Sequence, residues 1–95
     1  MHQCDDRQRT FALGRLVSTP GARDAISTDE MQAAVLRHAR GDWGDVGQED
    51  WEENEVALRE GFRLFSVYHT DAGTKFWIIT EADRSSTTVL LPEEY

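Results

Sequence analysis

The chain has one cysteine, Cys4, so it cannot close a disulfide on itself. No apolar run approaches the roughly 20 residues that a membrane-spanning helix needs. The opening stretch, Met1 to Thr10, is polar and charged and has no apolar core of a secretory signal. These absences predict a protein of the cytoplasm, bacterial in setting, with no membrane partner. Basic residues are short as well: 10 Lys and Arg stand against 18 Asp and Glu, a net charge of −8. A general nucleic-acid binder needs a basic surface to neutralise phosphates, so nucleic acid is not an expected partner. Internal repeats, low-complexity tracts and domain linkers are all missing. No cofactor is expected, and no metal. His2, Cys4, Asp5 and Asp6 lie close together, but their spacing fits no tetrahedral zinc pattern. Gly41 to Gly47 superficially resembles a calcium loop, yet its oxygen ligands do not alternate and the closing glutamate is misplaced.

What is present suffices for one folded domain. A chain of 95 residues can bury roughly 60–65% of its unfolded surface. Hydrophobic residues make up 39%, with three Trp, four Phe and two Tyr, which excludes disorder by composition. Residues 1–9 read as a flexible N-terminal segment and residues 10–95 as a single α+β domain. The stretch from Lys75 to Tyr95 organises it. Phe76–Glu81 and Thr87–Leu91 read as strands joined by the turn-forming Ala82-Asp83-Arg84-Ser85-Ser86. Phe76 and Ile78 point one way, Trp77 and Ile79 the other, which predicts an internal strand covered on both faces.

Earlier in the chain, Phe11 to Val17 predicts a strand at a sheet edge, with Gly14 at a bulge or close approach. Thr19 and Pro20 suit a helix cap and first turn for one or two turns over residues 22–26. Ser27 and Glu30 have capping-box spacing, and a helix to about Arg40 follows. Its apolar stripe is Met31, Ala34, Val35, His38 and Ala39, with Gly41 as the stop. A second helix spans 49–60, with Glu49, Asp50, Glu52 and Glu53 near its positive end. Asn54 falls on its apolar stripe with Trp51 and Leu58, where it is expected to tie the helix to the GDWGD loop. Trp43 is expected to pack under that loop. Phe62 to His69 reads as a strand, and Thr70 to Thr74 as a hairpin turn with Gly73 left-handed. The order predicts an N-terminal strand and helices packed on a three- to four-stranded antiparallel meander.

The blocks RHARGDWGD, GFRLFSVY and FWIITEADRSSTTVLLPEEY, with Asn54 between the first two, resemble small proteins encoded by bacterial plasmids and other mobile elements. The resemblance runs from about Leu13 to Tyr95. It implies a mobile-element setting and carries no activity. The predicted layer order is also similar to the small metal-independent ribonucleases of the RelE and barnase type. That likeness implies a general base or acid with arginine and hydroxyl groups around a phosphate. His38, Arg84, Ser85, Thr87 and Thr88 are the candidates for those roles.

Each candidate has a plainer reading. His38 on an inward helix face is more often a hydrogen-bonded core histidine than a base. Asp83 to Ser86 is more often a turn, with Asp83 capping and Arg84 pairing, than an anion site. Glu49, Asp50, Glu52 and Glu53 are more often a solvated face than a surface for a basic partner. The reading that follows is a small acidic interaction protein without catalytic activity, whose protein partner engages Glu49, Asp50, Glu52, Glu53, Asp83 and Arg84. Such a protein would act on a host nucleic-acid or defence system. The alternatives are a metal-independent ribonuclease and a structural accessory subunit.

Overall fold

A computed structural model describes residues 11–95. The expectations for residues 1–9, including the His2, Cys4, Asp5 and Asp6 cluster, lie outside the described residues. Local signals start the first two helices. Thr19 Oγ1 accepts from the Ala22 N–H at 3.2 Å, Pro20 takes the first helical position, and α1 runs Pro20–Ala25. Ser27 Oγ accepts from the Glu30 N–H at 3.1 Å and starts α2, Thr28–Ala39. The reciprocal half of the expected capping box takes a different form. Glu30 accepts from the Ser27 hydroxyl at 3.3 Å through Oε1 and, through Oε2, from the Asp71 N–H of the distant hairpin at 2.6 Å. The third helix, α3, covers Gln48–Glu60, with Glu49 and Asp50 in its first turn.

Among the described residues the strands are β1 (Arg15–Ser18), β2 (Leu64–His69), β3 (Lys75–Thr80) and β4 (Ser86–Leu90). They form one sheet in the order β1-β4-β3-β2. The fold is α+β, with three α-helices and a four-stranded sheet among the described residues. β2, β3 and β4 are the expected antiparallel meander. The sheet as a whole is mixed, not antiparallel throughout, because β1 joins the edge beside β4 in parallel, held by Arg15 N–H to Ser85 O and Thr19 N–H to Val89 O. β1 is also shorter than expected. At Gly14, φ is +66° and an added Cβ would lie 2.4 Å from the carbonyl oxygens of Arg84 and Ser85. This close approach bends the chain, and Phe11 turns inward to stack on Trp43 at 6.2 Å. β2 likewise begins at Leu64, not Phe62, which leaves Phe62 outside the sheet.

The two faces of β3 are used as the alternation predicted. Phe76 and Ile78 join Tyr68, Val89, Ala22, Ile26, Ala34 and Val35 in the main core, with Met31 packed at its margin. On the other face Ile79 is buried, and Trp77 meets Phe65 and Tyr95 edge to face, at 5.1 and 5.6 Å. A second cluster centres on Trp43, Ala57 and Leu64.

The β2 edge is closed by hydrogen bonds from outside the sheet. Asn54 donates Nδ2–H to Phe65 O at 2.7 Å and accepts the Phe65 N–H at 3.0 Å. Val67 N–H reaches Trp43 O at 3.1 Å, and Asp45 N–H reaches Val67 O at 2.7 Å. Asn54 therefore imitates a strand and ties α3 to β2; its partner is not the GDWGD loop, which caps the same edge one step further on. Replacing Asn54 by Ala leaves the partly buried Phe65 N–H and C=O without these partners. We expect a loss of about 2 kcal/mol, read as a lower urea midpoint with an unchanged slope. An unchanged midpoint would show that the edge does not need the amide. No helix among the described residues is long and apolar enough to cross a membrane.

Candidate functional site

His38 sits at the centre of a buried polar chain. Thr87 Oγ1 donates to the Leu13 carbonyl at 2.7 Å, which commits its only proton, so it accepts from Thr80 Oγ1 at 2.7 Å. Thr80 has then committed its own proton and accepts from His38 Nε2 at 2.8 Å. The ring proton is thereby on Nε2, and Nδ1 accepts from Ser66 Oγ–H at 2.6 Å. Sheet register supplies the hydroxyls, because Ser66, Thr80 and Thr87 project from β2, β3 and β4 onto the face that α2 covers. The rings of Phe11 and Trp43 close the site edge to face, at 5.3 and 5.6 Å. Burial, with a smaller push from the Arg84 charge, lowers the His38 pKa to about 3, so the imidazole is neutral near neutral pH. Its exposure is 0%. A general base must come within hydrogen-bond reach of its substrate, and this ring presents no surface to one.

Arg84 is committed elsewhere. Its backbone is left-handed at φ 61°. Its guanidinium donates to the carbonyls of Phe62 (2.7 Å), Ala82 (3.1 Å), Glu81 (3.2 Å) and Ala57 (3.1 Å). It lies 5.7 Å over the Phe11 ring, so Arg84 and His38 both pack on Phe11 instead of facing one cleft. Asp83 Oδ1 accepts from the Ser85 N–H at 3.0 Å, and its hydrogen bonds to Ser85 hold the Asp83 carboxyl below the usual carboxylate range. Ser85 gives its carbonyl to β1. Thr87 belongs to the histidine chain, and Thr88 pairs with Ile79 and Val17 inside the sheet. The structure thus brings His38 and Thr87 together in the interior and gathers Asp83, Arg84 and Ser85 in the β3–β4 turn.

The exposed candidate surface is a groove along α3, lined by Glu49, Glu52, Glu53, Val56, Ala57, Phe62 and Arg63. Phe62 is 56% exposed and Val56 39%. Asp50 lies on the same helix, exposed but outside the groove lining. Arg84 supports the groove from below, since Ala57 and Phe62, whose carbonyls it holds, both line it. Phe62 is the residue that sequence reasoning missed. Its one signal is its place directly after Gly61, the left-handed helix stop at φ 83°, where a strand has not yet begun. Among the described residues no group of three or more His, Cys, Asp or Glu side chains is placed to hold a metal ion. Comparison with known proteins finds no matching family model, no matching curated protein and no matching solved structure.

Proposed function

We propose that this chain is a small non-enzymatic interaction protein that docks a basic partner on α3. The observation that carries this reading is an apolar pair, Phe62 and Val56, exposed in a groove that three carboxylates, Glu49, Glu52 and Glu53, line with one cation, Arg63. An aromatic anchor with a charged rim is the usual anatomy of a binding surface. The net charge of −8 favours encounter with a basic partner and disfavours RNA. His38 and Thr87 are bonded inside the molecule, and the Arg84 guanidinium is held by backbone carbonyls. The resemblance to plasmid-encoded proteins supports a bacterial mobile element as the setting, and a host nucleic-acid or defence protein as the partner.

The test uses a labelled, lysine-rich amphipathic helical peptide as probe. We expect binding by the wild type at low salt, weakened by about tenfold or more between roughly 50 mM and 500 mM salt. Glu49→Lys/Glu52→Lys/Glu53→Lys should weaken it at least as much, and Phe62→Ala should weaken it without altering the salt dependence. Binding indifferent to the triple change would remove α3 from the reading. RNA cleavage by purified wild type that persists in chelator and vanishes in His38→Ala would replace it.

A further inference from the structure

The two edges of the sheet are treated differently. The β2 edge is closed by Asn54 and the Trp43–Asp45 loop. On β1, the Arg15 and Thr19 N–H groups point to β4. Alternation therefore turns the N–H and C=O of Leu16 and Ser18 outward, and no partner reaches them among the described residues. An open edge of this kind is a template for another strand. Beside it runs an apolar groove between β1 and α2, lined by Leu16, Thr28, Met31, Gln32, Val35 and Leu36. Leu16 is 56% exposed there and Leu36 51%.

We infer that this edge joins a second copy of the same chain, β1 against β1 in antiparallel orientation about a two-fold axis at Val17. Three observations favour a second copy over a foreign strand. First, this register sets Leu16 of each copy opposite Ser18 of the other and uses every outward backbone group on both, with the helix-covered faces on the same side. Second, neither β1 nor the groove lining contains a carboxylate, so copies of a chain with net charge −8 meet here without opposed acids. Third, the register sets Arg15 of each copy opposite Thr19 of the other. Thr19 Oγ1 donates to Glu94 Oε1 at 2.5 Å, so each Thr19 holds an exposed carboxylate, which also accepts from the Gly21 and Leu91 N–H groups, beside the incoming arginine. Arg15 forms no ion pair among the described residues, and the two-fold supplies one to each copy. Pairing the sheets edge to edge gives a continuous sheet of both copies, with Leu16 and Leu36 covered at the junction.

Sedimentation equilibrium on the full chain tests this, over a concentration series from low micromolar to about 1 mM. We expect the wild type to reach twice the mass of the chain. Arg15→Glu, an exposed change, should weaken association by about tenfold or more by setting acid against acid. Leu16→Pro removes an outward N–H that the monomer does not use, and should leave a folded monomer by circular dichroism. If the proline prevents folding, Arg15→Glu decides alone. Glu49→Lys/Glu52→Lys/Glu53→Lys should not weaken the dimer, which separates this edge from the α3 surface. A wild type monomeric throughout overturns the inference, including the case in which the edge accepts a strand from a different protein. A dimer that Arg15→Glu leaves unchanged overturns it too.

Discussion

Lowering the pH from 7.5 to 4.5 should remove about 2–3 kcal/mol of stability through His38 alone. The imidazole has an ordinary pKa of 6.5 and is held near 3 in the folded protein, chiefly by burial. Above pH 6.5 the ring is neutral in both states and contributes no pH dependence. Between 6.5 and 3 the unfolded chain takes up a proton that the native chain refuses. Stability then falls by up to about 1.4 kcal/mol per pH unit. The ring refuses the proton because a charged imidazole in this buried site would lose its hydration, with the Arg84 charge adding a smaller push. Urea unfolding of wild type and His38→Asn at both pH values isolates the histidine. The variant is less stable at pH 7.5, yet its loss on acidification should be smaller by the amount above. Carboxylates held low by their partners, Asp42 by Arg37 and Glu94 by Thr19, act in the same direction but at lower pH, and they are common to both proteins. Equal acid losses in the two proteins would mean that His38 can take a proton in place.

Gly44→Ala should cost about 3–4 kcal/mol, more than the loss of the Asn54 amide. Gly44 has φ +78°, and a Cβ added there would lie 2.1 Å from Val67 O and 2.8 Å from the Tyr68 ring. Val67 O accepts the Asp45 N–H at 2.7 Å, and Val67 N–H is bound to Trp43 O. The methyl group therefore pushes on the two bonds that close the β2 edge, and on the ring of Tyr68, whose hydroxyl donates to Asp42 O. Gly73 is the control. Its φ is +92° and nothing lies within 4 Å of the added Cβ, so Gly73→Ala carries only the left-handed strain, about 1 kcal/mol. Thermal melts of the two variants should differ by on the order of 10 °C or more. Equal melting temperatures would mean that the loop shifts away from β2 without loss.

What was legible in the sequence is what local chemistry decides. Ser27 and Thr19 cap their helices because a hydroxyl three residues from an N–H needs no distant information. The α2 stripe put His38 inward because helical periodicity fixes a face. The alternation in β3 sorted Phe76 and Ile78 from Trp77 and Ile79 for the same reason. Partners far apart in the chain were not legible. Asn54 stood out as a polar residue on an apolar stripe, but its bonds go to Phe65, 11 residues away. Arg84 read as a turn residue, and its bond to Phe62 O spans 22 positions. The direction of β1 depends on pairing with β4, which no local signal encodes. The α3 row was visible as charge, whereas the exposure of Phe62 beside it depends on where β2 starts.

The placement of β4 bears on the order in which the molecule can be made. β4 is the last of the described strands in the chain, yet it lies inside the sheet between β1 and β3. β1 has β4 as its one strand partner among the described residues, and Thr19 reaches Glu94 across 75 positions. During synthesis the β2–β3 hairpin can form on its own, but β1 has no strand to pair with until residues 86–90 are free. Completion of the sheet is therefore limited by long-range closure between β1 and β4. Until then the nascent segment holds its apolar residues in the open, and a chaperone that shields them has its window between the completion of β3 and the release of β4.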